Sequence, residues 1–81
     1  MEDKIKELFA SILGVEIDSI TDTTSPGDLE EWSSINHLNL VSTFEDNFSI
    51  DIDVDEILLM NKNYLMFKNI IQKKIGEFNG N

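Results

Sequence analysis

Ile5, Leu8, Phe9, Ile12 and Leu13 recur at i, i+3, i+4, i+7 and i+8, the spacing that puts apolar side chains on one stripe of an α-helix. Gly14 follows at once and supplies a stop, because glycine accepts the left-handed conformation that closes helices. A first helix over about residues 2–13 is expected. The same period returns at Ile35, Leu38, Val41, Phe44 and Phe48, with Leu40 beside it. Ser33 is placed to accept a backbone N–H as N-cap, so a second helix is expected over about 34–47. Asp53 and Glu56 form a capping box for a short helix through Ile57, Leu58 and Met60. Asn63 caps a last helix carrying Tyr64, Phe67, Ile70, Ile71 and Ile75, with Gly76 as its expected end.

Between the first two helices lies VEIDSITDTTSPGDLEEW, residues 15–32. This stretch is too long for an idle connection. Val15, Ile17, Ile20 and Leu29 are expected to fasten it to the core. The segment FSIDIDV alternates apolar and polar residues as a strand does, but it has no second strand to pair with and is read as an extended connection. The expected fold is all-α: a four-helix bundle with three longer helices, a short third helix and a long loop between helices 1 and 2. The domain is expected to span residues 1–76, with 77–81 as a frayed tail.

Eighty-one residues without cysteine must fold on one modest core, with neither disulfides nor thiolate metal sites to help. No apolar run approaches the roughly 20 residues of a membrane span, and the charged start MEDKIKELF does not read as a signal peptide. A soluble, cytoplasmic monomer is expected. Between Glu7 and Asn61 there are 13 acidic residues and no Lys or Arg, and the net charge is −10. That sign excludes a nucleic-acid binder and an anionic membrane surface. It favours basic protein partners met by electrostatic steering.

Three chemical possibilities fail on their residues. DIDVDEILLMNK begins with the spacing of a calcium loop but has Glu56 where a glycine must turn and Lys62 where a bidentate glutamate must bind; no metal site is expected. Ser34 and His37 stand one helical turn apart, yet no nucleophile elbow surrounds the serine and no third residue marks itself to orient the histidine. His37 is read as a polar residue on the helix surface, and no catalytic residue is expected. Ser33 and Ser34 remain, one of them a cap.

The run W-S-S-I-N-H-L-N-L at residues 32–40, followed by FEDNFSIDI, resembles the acyl carrier protein family. There an Asp-Ser-Leu stretch opens helix 2 and its serine carries 4′-phosphopantetheine; many free-standing carriers read close to W-D-S-L-x-H-L. The resemblance, over roughly residues 3–75, puts Ser34 on the modified serine, Ile35 on the leucine and Ser33 on the aspartate. It implies a non-enzymatic carrier that holds acyl intermediates as thioesters on a covalent 4′-phosphopantetheine derived from coenzyme A. The implied partners are a phosphopantetheinyl transferase and basic-surfaced acyl-transfer or synthase enzymes, in a fatty-acid, polyketide or other specialised pathway. Docking is expected at Ser33, Ile35, Glu45, Asp46, Asp53, Asp55 and Glu56. Leu38, Val41, Ile52, Ile57 and Leu58 are expected to line any acyl-chain cavity. Ser33 and Asn39 stand where many relatives place acids, which points to a dedicated synthase. Two alternatives stay open: a peptidyl or aminoacyl carrier, disfavoured because LEEWSS lacks the G-G-x-S flavour, and an unmodified acidic interaction module.

Thirteen acids without an intervening base repel one another, so screening favours the compact state. Added salt is expected to raise the melting temperature, and magnesium or calcium to do so more effectively at equal ionic strength. A melting temperature indifferent to both would mean that the acids are too dispersed to matter.

Overall fold

The structure, a computed structural model, describes residues 2–78. Four helices follow in order: α1, Glu2–Leu13; α2, Ser34–Phe48; α3, Val54–Met60; and α4, Tyr64–Phe78. No strand occurs among the described residues. The all-α bundle with a short third helix is therefore the observed architecture.

The first stop is a Schellman-type closure. Gly14 has φ +72°, and its N–H and that of Val15 reach back to Ser11 and Ala10 carbonyls, which takes up orphan acceptors of the last turn. At the end of α2 the left-handed position is occupied by Ser49 (φ 54°, ψ 49°) instead of a glycine. A serine there carries a steric cost of about 1 kcal/mol, which is why no punctuation in the sequence marks that end. The helix runs one residue past its expected boundary, through Phe48, whose ring stacks on Phe44 at 5.7 Å. In the connection that follows, Ile50 and Ile52 are buried and Asp51 and Asp53 exposed, the alternation of an extended segment laid on a core.

Phe9 is fully buried and meets three other rings edge-on, each at 5.0 Å between centroids: Trp32, Tyr64 and Phe67. Phe44 of α2 meets Phe67 in the same way, also at 5.0 Å. One aromatic cluster thus joins α1, the long loop, α2 and α4. Edge-to-face contacts of this kind add to the area they bury.

The long loop is held by polar ties as well as apolar ones. Ile20 is buried, and Val15 and Leu29 pack partly against the core, but Ile17 is exposed and lies in a single 3-10 turn, Ile17–Ser19; it does not fasten the loop. The carbonyls of Thr24 and Asp22 accept the N–H groups of Tyr64 and Leu65 at 2.8 and 3.0 Å. Asn63 Oδ1 takes that of Met66 at 2.9 Å. The loop therefore caps α4, using donors that a helix cannot satisfy by itself.

Two further expectations change. α4 does not end at Gly76 but continues to Phe78; a glycine inside a helix costs only about 1 kcal/mol, too little by itself to force a stop. Residues 79–81 of the expected tail lie outside the described residues. The buried stripe of α2 is His37, Leu40, Val41 and Phe44, so Ile35 and Leu38, counted into the apolar stripe by spacing, face solvent at 74% and 58% exposure.

Phe9→Ala is expected to cost about 3–5 kcal/mol, much of the stability of so small a domain, whereas Leu38→Ala should stay within about 0.5 kcal/mol. Urea denaturation of the two variants checks this; comparable losses would put Leu38 back in the core.

Candidate functional site

Trp32, nearly fully buried, ends the long loop and its N–H closes a turn on Leu29 O at 3.0 Å. Anchoring that ring fixes where the next two residues emerge. Ser33 is the N-cap of α2, extended at φ −80°, ψ 172°; its Oγ accepts from Asn36 N–H at 3.1 Å and its carbonyl from His37 N–H at 2.8 Å. Asn36 Nδ2 ties back to Glu31 O at 2.8 Å. Ser34 is the first helical residue and is exposed. No hydrogen bond among the described residues engages its hydroxyl. Next to it the first-turn N–H groups of Ser34 and Ile35 point out of the helix, where the positive end of the dipole favours an anion.

The other expected site residues fall into two sets. Three of the acids are occupied within the fold. Glu45 Oε2 accepts Ile52 N–H at 2.9 Å; Asp53 and Glu56 form the reciprocal capping box of α3, at 2.9 and 3.0 Å; and Glu56 Oε1 also holds Lys74 Nζ at 2.8 Å. Asp46 and Asp55 are exposed and make no such contact among the described residues. Val41 and Ile52 belong to the core and Ile57 packs partly against it. Leu38 and Leu58, expected inside, are 58% and 66% exposed, as are Ile35 and Val54 at 74% and 71%. α2 and α3 thus present apolar side chains to solvent.

His37 is the residue that spacing misread. It is buried, not on the helix surface. Trp32 Nε1–H donates to its Nδ1 at 3.0 Å, and its Nε2 lies 2.8 Å from Ile57 O. With Nδ1 accepting, the proton must sit on Nε2 and be donated to the carbonyl. Burial holds the His37 pKa below its ordinary 6.5, against a smaller opposing effect of the Ile57 hydrogen bond. Trp32 five residues earlier was the only available signal: a buried indole N–H needs an acceptor.

The arrangement offers no nucleophile–base pair, since His37 is turned inward and both of its nitrogens are engaged. It offers two exposed serine hydroxyls at a helix N-terminus, of which Ser33 Oγ caps the helix. The sequence model of the family described as "Phosphopantetheine attachment site" matches residues 3–64. The chain belongs to that family. As a phosphopantetheine carrier it bears the group covalently and is not itself a catalyst, and it is a member of a class served by phosphopantetheinyl transferases and synthase enzymes. The fold is similar to the solution structure of a holo acyl carrier protein from Geobacter metallireducens, with a TM-score of 0.82 at 23% identity, covering 99% of this chain and 92% of that one. No curated protein matches the chain significantly in sequence. The geometry suits such a group: a reachable hydroxyl to be esterified, and free backbone N–H groups beside it for a phosphodiester's charge.

Because Glu45 ties the connection before α3 to α2, Glu45→Ala is expected to lower stability by about 1 kcal/mol. Asp46→Ala, beside it and without an internal contact, should stay within about 0.5 kcal/mol. Equal effects in chemical denaturation would remove the internal role given to Glu45.

Proposed function

We propose that this chain is an acyl carrier protein in which Ser34 bears the 4′-phosphopantetheine, serving a fatty-acid, polyketide or other specialised acyl pathway. The division of labour between the two serines carries the assignment. Ser33 Oγ is held to the helix as acceptor of the Asn36 N–H, while Ser34, exposed like Ser33, presents a hydroxyl that no capping bond ties down. The bound group supplies a thiol on a flexible arm, on which an acyl chain is held as a thioester. The chain's own residues do the rest by position: Trp32 anchors the turn, Ser33 caps α2, and Ile35, Leu38, Val54 and Leu58 offer apolar contact to an incoming enzyme. Val41, Ile52 and Ile57 are the inward side chains available to shelter an acyl chain. Acid, base and nucleophile for acyl transfer come from the partner.

Ser33 is neutral where many carriers hold an aspartate, and no ionised side chain lies between Ser33 and Phe44. A transferase that docks on a carboxylate beside the modified serine finds none here. This supports a modifying enzyme adapted to this chain, and with it a specialised pathway. Docking charges narrow to Asp46 and Asp55, with Glu45, Asp53 and Glu56 shared between the fold and any partner.

Co-expression with a broad-specificity phosphopantetheinyl transferase should add the mass of one phosphopantetheine group to the wild-type chain and to Ser33→Ala, and none to Ser34→Ala. Circular dichroism must show both variants helical. Labelling that survives Ser34→Ala but not Ser33→Ala would move the attachment by one residue, and a wild-type chain that never gains mass would leave an unmodified interaction module.

A further inference from the structure

We propose that His37 is a proton-operated latch on α3, holding that helix to α2 and to the turn before Ser34 while its imidazole is neutral and releasing it in acid. α3 has seven residues, Val54–Met60, too few to persist as an isolated helix. Its far end closes tightly: Asn61 N–H reaches Leu58 O and Lys62 N–H reaches Leu59 O, both at 3.2 Å. That closure leaves the Ile57 carbonyl without its usual partner four residues on. His37 Nε2–H takes that place at 2.8 Å, twenty residues away in sequence. Nδ1 accepts from Trp32 at 3.0 Å, and Trp32 stands two residues before Ser34. One imidazole therefore joins the short helix, α2 and the end of the long loop.

Only the neutral ring with its proton on Nε2 satisfies both contacts. A second proton, on Nδ1, would face the indole N–H, donor against donor, and would put a charge where no counter-charge touches it. His37 is in contact with Trp32, the Ile57 carbonyl and the Phe67 ring at 6.4 Å, none of them ionisable. The charged groups on the surrounding elements are directed elsewhere. Glu30 and Glu31 of the loop, and Asp53 and Asp55 at the start of α3, are exposed; Glu56 is held by Lys74, and Lys68 of α4 by Asp22.

Burial places the His37 pKa below its ordinary 6.5. The closed state then binds fewer protons than any state in which His37 is exposed, so closure is fully favoured above that ordinary value and weakens as pH falls below it, toward the depressed one. Relief of repulsion among the acids would run the other way, which makes the sign of the response informative. His37 is the only histidine in the chain, and it is the side chain whose ordinary titration falls in the range concerned.

The test uses the unmodified 81-residue chain, so its outcome is independent of whether Ser34 accepts phosphopantetheine. Amide exchange, corrected for the intrinsic rate, is followed from about pH 7.5 to about pH 5.5, together with the imidazole nitrogen shifts. Amides of α3 should be less protected than the core amides of α1. Their protection should fall as pH drops below the ordinary histidine value, by at most about tenfold per pH unit, the limit for one proton. His37→Gln should remove that pH dependence. Should the variant not fold, the wild-type shifts still decide, since a ring protonated on Nδ1 at neutral pH contradicts the latch. Flat α3 protection, α3 protection equal to that of α1 throughout, or an unchanged decline in His37→Gln overturns it.

Discussion

Phe9 lies where four parts of the chain meet. Its ring takes Trp32 from the loop and Tyr64 and Phe67 from α4, and Phe67 passes the contact on to Phe44 of α2. A domain this small cannot gain much from total buried area, so it concentrates burial in few large side chains. Trp32, Tyr64, Phe9, Phe44 and Phe67 head the fully buried ones. The exposed serine depends on this cluster. Trp32, two residues before Ser34, is locked edge-on against Phe9 and so anchors the point from which α2 starts.

Order elsewhere is supplied by hydrogen bonds at places where helices are weakest. The start of α4 borrows carbonyls from Asp22 and Thr24, and the Lys68–Asp22 ion pair at 3.0 Å strengthens the same junction. The start of α3 has its capping box, its preceding connection is held by Glu45, its end by His37, and its flank by the Lys74–Glu56 pair. None of these is large singly; net contributions of about 1 kcal/mol are typical. Their value lies in direction, since apolar contact alone would let a seven-residue helix slide. α3 is packed on the core through buried Met60 and partly buried Ile57, and these polar groups fix its direction there; on the latch proposal, its hold is the one that a single proton alters.

The helices were legible in the sequence because their signals are local: Gly14 closes α1, Ser33 caps α2, Asp53 and Glu56 box α3, and Asn63 caps α4. The serine register proposed above rests in the sequence on resemblance alone, since a cap and a modified residue look alike in composition. What could not be read were features that depend on distant partners. Ile35 and Leu38 fit the 3.6-residue period with Val41 and Phe44, but in the first turns the buried stripe runs through His37 in their place, a residue that polarity alone sets outside a core. A histidine joins a core only when both nitrogens find partners, here a tryptophan five residues back and a carbonyl twenty residues on. Glu45 reads as a surface acid until the fold brings Ile52 N–H to it. The long loop hides its anchors because they are backbone carbonyls, which any residue carries.

Charge and apolar surface are divided between different distances in this molecule. A net charge of −10 acts beyond contact, over about a Debye length of 8–10 Å, and depends little on which acid contributes. At the serine itself the picture is different. The acids that end α2 lie eleven and twelve residues beyond Ser34, about 16–18 Å along a helix, and one of them is already committed to the fold. Between them and Ser34 the helix shows solvent only apolar, amide and hydroxyl groups. On the carrier reading, the whole molecule draws a basic partner in, and Ile35, Leu38, Val54 and Leu58 make the close contact. Apolar burial is non-directional and unaffected by charge screening, so these side chains can hold different enzymes in turn. Each binds weakly enough to leave, and the fold loses nothing when they do, because its stability was invested around Phe9.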